Sequence, residues 1–182
     1  MRRLALAAAL ALAASACAGA RSASAPAGSG WLVADGVRTV RQTSREGCGA
    51  AALAAVLARW DRPVPQRTIA VAAGGAGEPL RAVALRDYAR SQGLQAFLLE
   101  GERADLEREL ARGRPVLVGV VQRHLFKQYP HYEVVTGLDA VRGRVRTMDP
   151  ARGPRERKLA DFEKEWRRAG RVTLVVLPRD DG

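Results

Sequence analysis

Between Gly49 and Trp60 the apolar residues Leu53, Val56, Leu57 and Trp60 fall at i, i+3, i+4 and i+7. That spacing predicts a helix with one buried face, and Asp61-Arg-Pro-Val-Pro65 stops it. Residues 72–79 read as a loop. A second amphipathic helix is predicted over Leu80–Gln92, with Leu80, Val83, Ala84 and Tyr88 on one side and Gly93 as its cap. Leu94–Leu99 then reads as a short strand, Arg103–Arg112 as a helix ended by Gly113, and Pro115–Val121 as a buried strand. Tyr132–Leu138 and Arg144–Met148 form an expected hairpin across the Asp139–Gly143 turn. A helix over Leu159–Ala169 and a strand over Val172–Leu177 complete the pattern, and Trp31–Val40 is the first segment expected to be ordered. Helices come first and mainly antiparallel strands follow, which is an α+β arrangement.

The amino-terminal end departs from this pattern. Met1-Arg-Arg3 is a basic start, Leu4–Ala14 is apolar but too short to span a bilayer, and Ala14-Ser-Ala16 precedes Cys17. This resembles a bacterial lipoprotein signal, which would make residues 1–16 a signal peptide and Cys17 the lipidated first residue. Ala14 stands where that signal usually has leucine. With Ala18 rather than an aspartate after the cysteine, the expected location is the outer membrane, facing the periplasm, and the alternative is simple secretion. Residues 17–30, small and polar, read as a flexible tether, leaving 31–178 as one folded domain.

The 182 residues carry a formal net charge of +11, with 47% hydrophobic and 27% charged residues. Such a composition fits a globular domain. The excess of arginine is spread along the chain and is not interleaved with stacking aromatics, so no nucleic-acid partner is expected. A lipid anchor, a peptide or protein substrate and a secretion-system partner are expected instead. No cofactor or metal is implied.

The chain has only two cysteines. If Cys17 carries lipid, Cys48 has no disulfide partner in an oxidising compartment, which points to a reactive role; the bland alternative is a buried thiol acting as a small hydrophobe. Cys48 opens a helix, where the macrodipole and free N–H groups favour a thiolate. Gly47 and Gly49 flank it, freeing the backbone to turn and a substrate to approach. A cysteine nucleophile also needs an imidazole and a group to hold it. His131 opens one strand of the expected hairpin and Asp149 ends the other, so the two can meet across it. His124, in the polar stretch RHLFKQYP, is expected in an exposed loop. The Gln42 amide and the Cys48 N–H are the candidate donors to an oxyanion.

The segments QTSREGCGAAAL, PHYEVVTG and MDPARG, with LRAVALRDYARSQGLQA between them, resemble the bacteriocin-processing cysteine peptidases of the papain-like superfamily, which cut double-glycine leaders. The resemblance spans residues 38–177. It implies a papain-like fold with an amino-terminal catalytic helix on a mainly antiparallel sheet. It also implies Gln42 as oxyanion glutamine, Cys48 as nucleophile, His131 as general base and Asp149 as the orienting residue. Three departures stand beside it. Glu133 occupies a position where an aliphatic residue is common and places a charge near His131, which would raise its pKa. No transporter segment follows, so a standalone form is expected. The export signal is at odds with the cytoplasmic side on which exporter-fused relatives work. The expected function is therefore an envelope thiol peptidase. The alternatives are a non-catalytic peptide-binding module of the same fold, or an amidase or acyltransferase acting on peptide amides.

Overall fold

A computed structural model of the chain describes residues 30–74, 77–124 and 126–179, without the side chain of His124. The expected signal peptide, Cys17 and the expected tether up to residue 29 lie outside the described residues. Strand β1 (Leu32–Val33) is followed by helices α1 (Cys48–Arg59), α2 (Gln66–Ala72) and α3 (Ala82–Ser91). Then come β2 (Gln95–Glu100), α4 (Arg103–Ala111), β3 (Val116–His124), β4 (Lys127–Asp139), β5 (Arg144–Asp149), β6 (Gly153–Lys158), α5 (Leu159–Arg168) and β7 (Val172–Leu177).

Every pairing in the sheet is antiparallel, in the order β2-β7-β3-β4-β5-β6, with β1 paired to Gly137 and Leu138 of β4. Period-two alternation gives each strand two faces. Leu117, Val134, Met148 and Leu174 pack with α1, α2 and α3, whereas Val118, Val120, Val145 and Val175 pack with α4 and α5. The result is the expected α+β fold, a mainly antiparallel sheet covered by helices on both sides.

The predicted helix at Cys48 is present, but it is not one-sided: Cys48 to Leu57 are all buried. Alanines at 50, 51, 52, 54 and 55 are small enough to let neighbouring backbones approach, so α1 lies enclosed between the sheet, α2 and α3. α2 carries no periodic stripe to announce it and is anchored by the fully buried Ile69. β6, whose sequence is GPRERK, is an edge strand with a charged alternation in place of an apolar one. The stretch RHLFKQYP is not a loop. The ladder runs on through Gln122↔Tyr129 to His124↔Lys127, so all but the turn belongs to a hairpin arm of β3 and β4. Backbone hydrogen bonding extends the arm beyond the last core valines, and composition alone does not signal it.

Candidate active site

Cys48 is the first residue of α1, buried at 7% exposure and free of any disulfide. The N-cap is Gly47, which offers no side-chain cap to the first turn. The helix end therefore keeps its partial positive charge directed at the thiol and at whatever negative charge forms beside it. Neither flanking glycine is needed for a turn. Gly47 has ordinary helical angles (φ −78°, ψ 0°). A Cβ on Gly47 would stand 2.9 Å from Ser44 Oγ, and one on Gly49 would stand 3.2 Å from Tyr132 Cδ2 and 3.4 Å from Leu85 Cδ1. These glycines make room for other parts of the protein.

The β4–β5 register ends at Val134↔Met148, so His131 has no strand partner from β5 and Asp149 stands at the strand end beside it. His131 Nε2 lies 2.8 Å from Asp149 Oδ1. The Cys48 thiol also acts on His131, through a side-chain hydrogen bond. Burial opposes a charge on His131, but hydrogen bonds to Asp149 and Cys48 and their negative charges outweigh it and raise the pKa to about 9. The expected rise is present, but Glu133 is not among its causes. Asp149 is held well below the ordinary carboxylate range. Its burial works against this, and His131, the Ala151 N–H and Gln122 overcome it. Tyr132, on the opposite face of β4 from His131, is pushed up to about 12 by burial and by the Cys48 charge.

Glu133 is fully buried and neutralised. It accepts from Gln122 Nε2 at 2.7 Å, Arg157 Nη2 at 2.8 Å and Arg155 Nη1 at 3.5 Å. His131, Glu133 and Asp149 bring possible metal-ligating atoms within 4.8 Å of one another. The two guanidiniums already supply the positive charge that these carboxylates require, so the cluster is built as an ion-pair network.

Gln42 lies in the loop that leads into α1, with its amide turned to the protein. Nε2 donates to Ser44 O at 2.8 Å and Arg45 O at 3.2 Å, and Oε1 is buried without a hydrogen-bond partner. The loop is braced twice more. Gln42 N–H donates to Pro150 O at 3.0 Å, and Gln66 of α2 accepts from Thr43 N–H at 3.2 Å while donating to Arg41 O at 2.7 Å. Gln66 escaped the sequence reading because nothing local marks a polar residue that reaches back 25 positions. A cleft of about 190 Å³ opens beside Gly47, between Ser44, Glu46 and Ala50 on one side and Arg67 and Val71 of α2 on the other.

The model of the Peptidase C39 family matches residues 37–181. The chain belongs to that family. No curated protein sequence matches it. Among solved structures, it is similar to a double glycine motif protease from the AMS/PCAT transporter in complex with the leader peptide, at 23% identity over 80% of this chain and 94% of that one, TM-score 0.63. It is also similar to the peptidase domain of Streptococcus ComA, a bi-functional ABC transporter involved in a quorum sensing pathway, at 18% identity over 79% and 100% of the two chains, TM-score 0.66. A third match is a protein described as a C39-like peptidase from Bacillus anthracis, at 16% identity over 82% and 98%, TM-score 0.68. The C39 domain is a papain-like cysteine peptidase, and this chain is a hydrolase of that kind.

Proposed function

We propose that Cys48, His131 and Asp149 form the catalytic set of a peptidase that cleaves an exported peptide or protein through an acyl-enzyme. The observation that carries this reading is the position of His131, whose Nε2 lies 2.8 Å from Asp149 Oδ1 while the Cys48 thiol hydrogen-bonds to the same imidazole. The Cys48 thiolate attacks the peptide carbonyl, and its own proton rests on His131. The imidazolium, held by Asp149, then protonates the leaving amine. Water, deprotonated by His131, hydrolyses the thioester and regenerates the thiol. The oxyanion is received at the positive end of α1 by the Cys48 N–H and the Gln42 amide. Gln42 must then exchange its bonds to Ser44 O and Arg45 O for one to the oxyanion. A leader-like peptide is the favoured substrate class, given the complex formed by the AMS/PCAT relative. The setting proposed for the reaction is the envelope, with Cys17 as lipid anchor.

The test is cleavage of a peptide library by the wild type, Cys48→Ala and His131→Ala, with products read by mass spectrometry. Cleavage is expected only with the wild type, His131→Ala losing at least ~10²-fold. Peptide binding without turnover in the wild type would favour the binding-module alternative. A mature amino terminus without lipid at Cys17 would overturn the anchor.

A further inference from the structure

The alternation of the strands brings six chemistry-bearing side chains to one face of the sheet: Gln122 of β3, His131 and Glu133 of β4, Asp149 of β5, and Arg155 and Arg157 of β6. Glu133 and Asp149 are both at 0% exposure. One arginine spans them: Arg155 Nη1 is 3.2 Å from Asp149 Oδ2 and 3.5 Å from Glu133 Oε1. Gln122 repeats the bridge, its Nε2 lying 2.7 Å from Glu133 Oε1 and 3.5 Å from Asp149 Oδ2. Its Oε1 is held by Arg152 Nη1 at 3.1 Å. Arg157 closes the far side, donating to Glu133 at 2.8 Å and to Glu165 of α5 while lying over the Phe162 ring.

We infer that Glu133 and Arg155 are paired positioning residues: Arg155 holds Asp149 by Oδ2 so that Oδ1 faces His131, and Glu133 cancels the charge that Arg155 brings. The two oxygens of Asp149 are divided accordingly. Oδ1 takes His131 at 2.8 Å and the N–H groups of Ala151 at 2.8 Å and Arg152 at 3.3 Å, whereas Oδ2 takes Arg155 and Gln122, with the half-exposed Arg152 guanidinium farther off at 3.8 Å. A lone guanidinium 3.2 Å from Asp149 would draw charge density away from the imidazolium. A lone buried carboxylate two residues along β4 would do the opposite. Together they fix geometry while leaving the field at His131 set by Asp149 and Cys48. This account deepens the proposed catalytic set and rests on it.

The charged and titratable groups around His131 are Cys48 from α1, Tyr132 and Glu133 from β4, and Asp149 from β5. Arg152 follows from the turn, Arg155 and Arg157 from β6, Glu165 from α5 through Arg157, and Arg41, which approaches Gly153. Of these, Glu133 and Arg155 admit near-isosteric or charge-keeping changes, which gives the test its sign. The rate at which iodoacetamide alkylates Cys48 is followed against pH in the full chain, with the Cys48 peptide resolved from Cys17 by mass spectrometry. Arg155→Gln removes the guanidinium 3.2 Å from Asp149 Oδ2 and leaves Glu133 to Arg157 alone, so protons are held to higher pH, and the profile moves up by about half a unit or more. Glu133→Gln removes one of the two carboxylates that face Arg155, leaving it to Asp149 alone, and moves the profile down by a similar amount. The double variant returns to within ~0.2 unit of the wild type, and Arg155→Lys, which keeps the charge, stays near it. A merely structural role would lower rates without moving the profiles in opposite directions. Profiles of both single variants that coincide with the wild type overturn the inference. A wild-type Cys48 that reacts no faster than free cysteine overturns the catalytic reading instead.

Discussion

The backbone N–H of Gln42 donates to the carbonyl of Pro150, 3.0 Å away, and so ties the loop ahead of Cys48 to the turn that follows Asp149. Cys48 and Asp149 belong to distant parts of the chain, and His131 must meet both. One bond between their flanking loops therefore sets the distance the imidazole has to bridge. Gln66 reinforces the arrangement from α2 by holding Arg41 and Thr43. Gln66→Ala is expected to lower turnover several-fold while lowering the melting temperature by no more than ~4–8 °C, since it removes two exposed hydrogen bonds worth about 1 kcal/mol each. Paired kinetic and thermal-melt measurements check this.

Gln42→Ala separates two roles of one side chain. If its amide receives the oxyanion, kcat falls by ~10²-fold with KM little changed, the pattern of an interaction made only in the transition state. If it serves only to brace Ser44 O and Arg45 O, KM and thermal stability change together with kcat. The first pattern is expected. Steady-state kinetics on the best cleaved peptide distinguishes them.

Gly49→Ala sets helix propensity against space. Alanine gains about 1 kcal/mol over glycine inside a helix. The new Cβ would stand 3.2 Å from Tyr132 Cδ2 and 3.4 Å from Leu85 Cδ1, and relieving such overpacking costs ~1–3 kcal/mol. The second effect is expected to win narrowly. Because Tyr132 neighbours His131 on β4, activity should fall further than stability does, by at least ~10-fold in kcat. A variant that is both more stable and fully active would show that the ring moves aside freely.

Much of this fold was legible because its apolar pattern is local. The stripe of Leu53, Val56 and Leu57 announces α1, and the valines of β3, β4 and β7 announce the central strands. What escaped notice has little apolar content of its own. β6 earns its place through pairing with β5 and through arginines that find buried carboxylates on other strands. α2 has a single buried residue, Ile69. The polar arm of β3 and β4 continues by backbone bonding, which leaves no mark on side-chain periodicity.

The site divides along the same line. Cys48 at a helix start, with His131 and Asp149 at neighbouring strand ends, could be picked out by residue type and spacing, and the structure brings the three together. Glu133 was noticed as a charge near His131, but its neutralisation by Arg155 and Arg157 could not be, because those arginines look like ordinary surface cations in sequence. The donors of Gln42 face carbonyls of its own loop, a choice made by backbone geometry that a residue type cannot reveal.

The linkage between His131 and Cys48 gives a prediction with a definite sign. His131 is raised from 6.5 to about 9, so its interactions contribute stability that is fully present below about pH 6.5 and is lost as pH rises through about 9. Asp149 is depressed, and its contribution is present above its ordinary range and lost as pH falls well below it. Between these limits the imidazolium persists at neutral pH, and turnover should decline on the alkaline side near pH 9. Removing the thiol in Cys48→Ala deletes one hydrogen bond and one negative charge that hold the proton. His131 should then titrate at lower pH than in the wild type, while Asp149 still holds it up. Only His124 and His131 contribute imidazole signals, so an NMR pH titration of both proteins, with His131→Ala to assign the peaks, reads the change directly. A His131 midpoint that does not move on loss of Cys48 would mean that the two side chains are not coupled.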